Sequence, residues 1–260
     1  MLIKNIDFSK YLSLKIGTIL PVEIIDGFEY NKDLRILGFG YNLLVSPKAE
    51  KLAILDDCFD YIRDIGEFIE VGASTRSSKL FRFFFENDLR GLEFLRSLPG
   101  SIGGLVKMNA GMKAYEMKDT LESVCIDGEW VNIKELNFSY RSTDIKGIIF
   151  AARFKKNSGF NHNLLEQFQI LRKSHPSVPS CGSCFKNPKG DYAGRLIEAV
   201  GMKGYYINGV GFSDKHANFL VNIDKQRADF DSALEVIALA QKKVFDAFGI
   251  KLEKEVIIVE

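Results

Sequence analysis

The chain has 260 residues, 46% of them hydrophobic, and its 35 lysine and arginine residues nearly balance 34 acidic residues, which leaves a net charge of +1. Such a charge gives no electrostatic reason to expect a nucleic acid or a membrane surface as a partner. The length permits one large domain or two ordinary ones, and we expect two.

The sequence also lacks the common signals of export and of membrane insertion. No run approaches the roughly 18 apolar residues of a membrane span, and the first residues lack the apolar core of a signal peptide. We therefore expect a cytoplasmic location and no obligatory protein partner. The four cysteines, Cys58, Cys125, Cys181 and Cys184, are too few to require a disulfide framework, so we expect reduced thiols.

Short apolar or alternating runs in the first half predict strands, because Gly, Asp or Pro bounds each of them. These runs begin at Arg35, Lys51, Phe68 and Glu122. Between the last two, apolar residues at helical spacing over 78–88 predict a crossover helix beside a sheet. Its capping signals would be the serines at its start and Gly91 beyond its end.

The second half predicts mainly helices. Apolar spacing indicates helices over 161–173, near 193–200, and from Phe230 to Phe248, the last closed by Gly249. A terminal strand is expected to begin at Glu255. The pattern predicts an α+β fold in two domains, with a candidate boundary where the helix over 161–173 is followed by His175-Pro-Ser-Val-Pro. We assign the two domains to 1–155 and 156–260, and the terminal strand, 255–260, could pack back on the first.

Two glycine-rich loops lie in the first half, Gly38-Phe-Gly-Tyr-Asn-Leu-Leu and the longer segment from Ser97 to Gly111. Glycine permits the close backbone approach by which several N–H groups converge on a diphosphate. Taken alone, the shorter loop is more often a tight turn, whereas the longer one has more glycines than an ordinary connection requires. The shorter loop is not a Rossmann fingerprint, because no third glycine follows and Leu43-Leu44 continues as an apolar run.

Six motifs in order resemble those of the UDP-N-acetylenolpyruvoylglucosamine reductase family, compact type. They are Gly38-Phe-Gly-Tyr-Asn, Pro99-Gly-Ser-Ile-Gly-Gly with Met108-Asn-Ala-Gly, Ser139-Tyr-Arg-Ser, Pro179-Ser-Cys-Gly-Ser-Cys-Phe-Lys-Asn-Pro, Lys215-His-Ala-Asn-Phe-Leu-Val-Asn and Leu252-Glu-Lys-Glu-Val. The resemblance implies a two-part FAD-binding domain of the vanillyl-alcohol-oxidase type over 1–155. It also implies a smaller α+β substrate-binding domain over 156–260.

The resemblance further implies the reaction. NADPH would reduce a non-covalent FAD, which in turn reduces UDP-N-acetylglucosamine enolpyruvate to UDP-N-acetylmuramate for peptidoglycan synthesis. No metal is expected. The residues expected to bind FAD are Gly38, Gly40, Tyr41, Asn42, Leu43, Pro99, Gly100, Ser101, Gly103, Gly104, Asn109 and Gly111.

Arg141, Ser183 and Glu255 match the family's three catalytic positions, and the chemistry of the reaction agrees. Hydride addition to the enolpyruvyl group leaves an enolate that a fixed cation stabilises, which Arg141 would supply. Ser183 would protonate the neighbouring carbon, and Glu255 would assist. Without the resemblance, the arginine would more often be a surface ion-pair partner. The serine would more often be a turn residue, and the glutamate would be solvated.

Lys186 and Asn187 suit a UDP diphosphate as a point charge and an amide donor, or could decorate a loop. The Cys181 and Cys184 pair resembles a redox or zinc motif, but no second pair exists, so we expect neither role. His216 lies in an apolar context, which favours a partly buried, hydrogen-bonded histidine over a catalytic base.

Three segments of the chain depart from the family pattern. Phe39 and Tyr41 stand where small residues are usual, the segment after Gly111 differs, and Ile257 stands where an arginine is common. Two alternatives are weighed against the reductase, and the serine and glutamate motifs decide against the first. One is a flavin oxidase with the same fold and another substrate. The other is a silent nucleotide-sugar-binding regulator, which would not bind FAD.

Overall fold

The computed structural model describes residues Leu2 to Glu260 and has a mixed α+β fold. The chain forms two compact units. The first contains the residues up to Lys4, Val22–Phe39 and Lys51–Lys173, and the second contains Asn5–Pro21, Gly40–Glu50 and Ser174–Glu260. Each unit is thus assembled from segments that are separated in sequence.

The strands are short. They are β1 (Leu2–Asp7), β2 (Ile19–Ile25), β3 (Arg35–Ile36), β4 (Leu43–Val45), β5 (Leu52–Leu55), β6 (Ile62–Asp64), β7 (Phe68–Gly72), β8 (Gly111–Met112), β9 (Tyr115–Glu116), β10 (Leu121–Ile126), β11 (Glu129–Asn132), β12 (Phe138–Ser139), β13 (Ser142–Thr143), β14 (Ile149–Lys155), β15 (Ser180–Ser183), β16 (Tyr206–Ile207), β17 (Val210–Phe212), β18 (Phe219–Asn222) and β19 (Ile257–Val259).

The helices are α1 (Phe8–Tyr11), α2 (Ser77–Glu86), α3 (Ile102–Lys107), α4 (His162–Arg172), α5 (Ala193–Ala199) and α6 (Phe230–Phe248). Polar side chains cap several of them. The carboxylate of Asp229 accepts a hydrogen bond from the N–H of Ser232 at the start of α6, and Gly249 ends that helix in the left-handed conformation, with φ +67°. This end needs glycine because other residues are strained there. The predicted helices are therefore confirmed.

One local detail of the helix predictions is wrong. Helix α2 begins after Arg76 without a side-chain capping bond, because the serines lie inside its first turn rather than before it. In α6, Phe245 and Phe248 are exposed. The buried stripe consists instead of Ala233, Val236, Ile237, Ala240 and Val244, since these smaller residues fall on the face that meets the core.

The larger sheet of the first unit has the order β11-β10-β14-β7-β6, and every pairing is antiparallel. Strands β7 and β10 are therefore parallel to each other, with β14 between them. The chain crosses from β7 to β10 through α2 and α3, as the predicted crossover helix requires. The main core of this unit lies between these helices and the sheet, and it includes Ile69, Phe84 and Phe154.

A second sheet has the order β1-β2-β5-β3, in which β2, β5 and β3 are parallel. Strand β3 leads directly into the Gly38 loop, and the N–H of Leu37 donates to the carbonyl of Ala53 at 2.8 Å. The pairing with β5 thus fixes the point at which the shorter glycine loop starts.

The second unit has an antiparallel sheet of order β15-β18-β17-β16. Helices α5 and α6 contribute to its core, which includes Leu196, Phe212 and Val236 and also the thiols of Cys181 and Cys184. Strand β19 pairs in parallel with β4, matching Ile257 with Leu43 and Val259 with Val45. Leu43–Val45 belongs to the predicted first domain by number, yet it lies in this second compact unit.

The compact units differ from the expected division at 155 and 156. Helix α4 belongs to the first unit, because the buried Leu164 and Phe168 pack into that unit's core. The chain passes into the second unit at Ser174, next to His175-Pro. The assignment of functional domains to 1–155 and 156–260 stays a prediction.

Candidate active site

Ser183 ends β15 at an irregularity in the sheet. Ser180 pairs with Val221 and Ser183 with Phe219, so one extra residue is inserted on the β15 side. Gly182 takes φ +78° at this bulge, and its N–H donates to the hydroxyl of Ser180 at 2.9 Å. A bulge redirects the side chains around it. Ser183 is accordingly half-buried between two wholly buried neighbours in the second unit, Cys181 and Cys184.

The segment after Ser183 is held by Asn218. The N–H of Cys184 donates to the Asn218 carbonyl at 2.7 Å. The side-chain oxygen of Asn218 accepts from the N–H of Phe185 at 3.0 Å, and its amide donates to the Phe185 carbonyl at 2.7 Å. Asn218 is 4% exposed. Sequence reasoning noted Asn218 only as part of a family motif, because a contact over 33 residues has no local signal.

Glu255 lies beside this segment. Its N–H donates to the carbonyl of Cys184 at 2.8 Å. The expectation that Glu255 begins a strand is wrong, because an isolated bridge joins Lys254 to Phe185 and β19 begins only at Ile257. Glu255 is half-buried in the resulting irregular segment. The second unit therefore brings Ser183 and Glu255 together through the carbonyl of Cys184.

Asn42, a predicted FAD ligand, supports the same segment. Its side-chain amide donates to the carbonyl of Glu255 at 2.9 Å, and its own carbonyl accepts from the N–H of Ile257 at 3.0 Å. Gly40 packs closely on Leu12 with φ +71°. Tyr41 is exposed and Leu43 is buried in β4. In the second unit, then, the shorter glycine loop holds the backbone of Glu255.

Arg141 lies in the first unit, at the tip of the two-residue turn between β12 and β13. Its backbone has φ +54°, a left-handed conformation that is uncommon for a long side chain. Its guanidinium Nη2 donates to the carbonyl of Gly111 at 2.6 Å, and its Nη1 lies 3.8 Å from Glu116 Oε1. The side chain is only 14% exposed. Arg141 is therefore not a freely solvated surface arginine.

Asn109 and Gly111 fix the surroundings of Arg141. Asn109 is wholly buried, and its amide nitrogen donates to Glu116 Oε2 at 2.9 Å and to the Ser139 carbonyl at 3.0 Å. Its side-chain oxygen accepts from the N–H of Lys118 at 3.2 Å. The side-chain amide of Asn109 thus forms hydrogen bonds within the protein, and a contact of Asn109 with FAD stays a prediction.

The longer glycine loop is closely packed within the first unit. Ser101 Oγ accepts from the N–H of Gly104 at 3.3 Å and caps α3. A Cβ added at Gly38 would come 2.8 Å from Ser101 Oγ, so the two glycine loops meet here. The N–H of Gly103 donates to the Ala73 carbonyl at 3.0 Å. Pro99 is exposed and Gly100 is half-buried, with φ +152°.

An arginine that sequence reasoning missed lies beside this junction. Arg76 forms an isolated backbone bridge with Ser101. Its guanidinium carbon lies 4.7 Å from the centre of the Phe39 ring, a cation–π contact. Phe39, one of the departures from the family pattern, therefore has a defined structural partner.

Lys186 and Asn187, the predicted substrate ligands, follow Ser183 in the second unit. Lys186 Nζ lies 2.6 Å from Glu253 Oε1, and the lysine side chain is 18% exposed against 71% for the glutamate. The side-chain oxygen of Asn187 accepts from the N–H of Ala193 at 3.0 Å, at the start of α5. Both residues thus have partners within the protein, and binding of a substrate by them stays a prediction.

The two cysteines around Ser183 are free thiols. Burial raises the pKa of the Cys181 thiol to about 12 and raises the pKa of Cys184 well above its usual value. A protonated thiol is a poor nucleophile and a poor metal ligand. Among residues 2–260, no group of three or more His, Cys, Asp or Glu side chains is arranged to hold a metal ion.

His216 is partly buried and hydrogen-bonded, as predicted. Its Nδ1 accepts from the N–H of Asn218 at 3.3 Å. Its ring lies 4.7 Å from that of Phe219 and 6.2 Å from that of His175. Burial lowers the pKa of His216, so the neutral imidazole is favoured.

Known proteins resemble the chain over its whole length. The reductase of Helicobacter hepaticus, UDP-N-acetylenolpyruvoylglucosamine reductase, is 52% identical, and the alignment covers 98% of each chain. The protein of the same name from Campylobacter jejuni is 43% identical, over 98% of this chain and 99% of that one. The family model for the C-terminal domain of UDP-N-acetylenolpyruvoylglucosamine reductase matches residues 173–259.

A solved structure resembles the fold as well. The crystal structure of UDP-N-acetylenolpyruvylglucosamine reductase (MurB) from Thermus caldophilus aligns over 100% of both chains, with a TM-score of 0.87 and 30% identity. Together these likenesses place the chain among the α+β oxidoreductases. The chain belongs to the UDP-N-acetylenolpyruvoylglucosamine reductase family. No helix within residues 2–260 combines the length and the apolar character needed to cross a membrane.

Proposed function

We propose that this chain reduces UDP-N-acetylglucosamine enolpyruvate to UDP-N-acetylmuramate, a step of peptidoglycan synthesis in the cytoplasm, with NADPH as the reductant and FAD as the cofactor. The observation that carries this proposal is the pairing of Ser183 with Glu255 through the Cys184 carbonyl. It occurs in a chain that is 52% identical to a protein named for this substrate. The serine and glutamate motifs that meet here argue against a flavin oxidase acting on another substrate.

The two meeting glycine loops support the assignment of FAD. Gly38 leaves no room for a side chain against Ser101, and the exposed Pro99 and half-buried Gly100 directly precede that serine. Arg76 adds a cation at this junction. These residues would hold the diphosphate in a domain of the vanillyl-alcohol-oxidase type, 1–155, with substrate bound mainly by 156–260. When bound, FAD supplies the hydride that it receives from NADPH.

The remaining chemistry falls to side chains of the chain itself. Arg141 stabilises the negative charge that develops on the enolate and its carboxylate, because its guanidinium is fixed and screened from solvent. Ser183 Oγ delivers the proton to the adjacent carbon. Glu255 lies next to that serine in the backbone network and assists the transfer. Lys186 and Asn187 contact the UDP diphosphate.

The decisive experiment follows the flavin colour in two half-reactions. Purified protein is reconstituted with FAD, reduced anaerobically by NADPH, and then mixed with UDP-N-acetylglucosamine enolpyruvate. We expect bleaching by NADPH and full recolouring by the substrate, with UDP-N-acetylmuramate found by mass spectrometry. UDP-N-acetylglucosamine is the matched control, because it lacks the enolpyruvyl group and should not recolour the flavin.

Each alternative gives a different result. A flavin oxidase would bleach with NADPH or another donor and recolour with oxygen but not with the enolpyruvyl substrate. A nucleotide-sugar-binding regulator would stay colourless after incubation with FAD. Either outcome would overturn the proposed function.

A further inference from the structure

Glu116 is a carboxylate that faces Arg141 and is largely removed from water. Its side chain is 13% exposed, and its Oε1 lies 3.8 Å from Arg141 Nη1. Lys118 Nζ lies 3.1 Å from the other oxygen, Oε2. Because Oε2 is occupied in this way, Oε1 is the oxygen turned toward the guanidinium of Arg141.

Asn109 holds this carboxylate and the arginine hairpin at the same time. One amide nitrogen donates to Glu116 Oε2 at 2.9 Å and to the carbonyl of Ser139 at 3.0 Å, two residues before Arg141. Asn109 itself is wholly buried and takes φ +43°. A buried amide with its donors and acceptor engaged has little freedom to move. The distance between Glu116 and the hairpin is therefore fixed by one side chain.

The hairpin is tied to α3 at further points. Thr143 Oγ1 donates to the carbonyl of Lys107 at 2.9 Å, and the ammonium of Lys107 donates to the carbonyl of Ile145. These bonds hold the strand after the turn, whereas Asn109 holds the strand before it. The left-handed backbone of Arg141, which is strained for a residue other than glycine, persists because the surrounding structure determines it.

We propose that Glu116, held by Asn109, is a positioning residue for Arg141 in the second half-reaction, in which the reduced flavin is reoxidised by the enolpyruvyl substrate. This inference rests on the proposed function, in which Arg141 stabilises the enolate. A long arginine side chain has many rotamers, and a fixed carboxylate restricts the guanidinium to one of them. A cation stabilises the enolate only from the correct place, and a displacement of about 1 Å can cost about a hundredfold in rate.

The test compares Glu116→Ala and Glu116→Gln with the wild type in the two half-reactions. We expect flavin reduction by NADPH to stay within about twofold of the wild type. Recolouring by the substrate should slow by about 10-fold to 100-fold in Glu116→Ala and by less in Glu116→Gln, which retains the shape. If the wild-type protein itself does not recolour, the proposed function fails. If the wild type recolours and Glu116→Ala matches it, this inference fails.

A matched control uses Glu70. Its carboxylate is 12% exposed and lies 2.9 Å from Arg153 Nη2, on the sheet of the same unit. Glu70→Ala removes a comparable buried charge whose ion-pair partner is Arg153 rather than Arg141, so both half-reactions should stay at the wild-type rate once a melting curve shows that the variant is folded. If recolouring slowed equally in Glu70→Ala and Glu116→Ala, general destabilisation would explain both effects and the proposal would be overturned.

Two further measurements separate positioning from a purely structural role. In an Arg141→Lys background, Glu116→Ala should slow recolouring by less than threefold, because a residue that acts through Arg141 loses its effect when Arg141 changes. The proposal would be overturned if the effects of Arg141→Lys and Glu116→Ala on the recolouring rate were fully additive.

Phenylglyoxal, which condenses with guanidinium groups, should modify Arg141 several times faster in Glu116→Ala than in the wild type. An unchanged labelling rate would show that Glu116 does not hold the arginine.

If Glu116→Ala does not fold, the same measurements are made on Glu116→Gln and on Asn109→Asp. The aspartate keeps the shape of Asn109 but replaces the amide that donates to Glu116 and Ser139 with a like charge. It should slow recolouring and speed the labelling of Arg141. Wild-type behaviour in both of these variants would overturn the proposal.

Discussion

The backbone N–H of Glu255 donates to the carbonyl oxygen of Cys184, over a distance of 2.8 Å, and Cys184 directly follows Ser183. The side-chain amide of Asn42 donates to the backbone carbonyl of Glu255. Main-chain hydrogen bonds thus bring the backbone of the proposed proton donor and that of its assisting carboxylate together. Substitution of either side chain keeps the main-chain donors and acceptors of these bonds, so both residues can be tested in a chain that retains this backbone network.

Ser183→Ala should separate the two half-reactions. NADPH reduces the flavin before the enolpyruvyl carbon needs a proton, so the first half should proceed at the wild-type rate. Loss of a positioned proton donor costs about a hundredfold to ten-thousandfold, and recolouring by the substrate should slow by that factor. Rapid-mixing absorbance measures both rates. Ser78→Ala, on the exposed face of α2, is the control. Wild-type recolouring in Ser183→Ala would make this serine a turn residue only.

FAD should be released by acid precipitation. The family resemblance implies a dissociable cofactor, and no histidine occurs in either glycine loop to form a covalent tether. The supernatant should carry the yellow colour and the absorbance of free flavin, and the pellet should be white. Yellow colour that stays with the denatured chain would contradict the prediction.

Alkylation should distinguish the four thiols. Burial raises the pKa of Cys181 to about 12, so at pH 8 this thiol stays protonated, and iodoacetamide reacts with thiolates. Cys184 and Cys125 are also buried, with raised pKa values, whereas Cys58 is exposed. Mass spectrometry should find label on Cys58 in the native protein and on all four cysteines after denaturation. Rapid native labelling of Cys181 would contradict its burial.

Cys184→Val should keep its turnover, because the hydride passes through the flavin and requires no thiol relay. Valine is close to cysteine in size and suits the apolar core around position 184. The two half-reactions and the content of bound FAD are measured together. Loss of chemistry with normal FAD binding would assign the thiol a role in the reaction.

Asn218→Ala should destabilise the second unit. The substitution leaves the N–H and the carbonyl of the buried Phe185 without their side-chain partner, and each such loss costs about 1–3 kcal/mol. Denaturant unfolding should show a lower midpoint. Asn163→Ala, at an exposed position of α4, is the matched control and should change the free energy of unfolding by less than about 0.5 kcal/mol. Equal midpoints for the two variants would contradict the structural role of Asn218.

Local sequence patterns predicted the secondary structure well where a segment carries its own signals. Helix α6 combines a capping aspartate, an apolar stripe and a final glycine, and each of these acts within a few residues. The predicted cap failed at the serines of α2, because they lie inside the first turn of the helix. The predicted strand start failed at Glu255, because β19 begins two residues later.

The sequence by itself determined the α+β class, the long helices and, through its motifs, the family and the candidate residues. Only the tertiary structure decided what holds those residues. Asn42 contacts Glu255 across 213 residues, and Asn109 joins a helix end, a carboxylate and a hairpin. No local propensity encodes such bonds, because their partners meet only after the buried polar groups of distant segments satisfy one another.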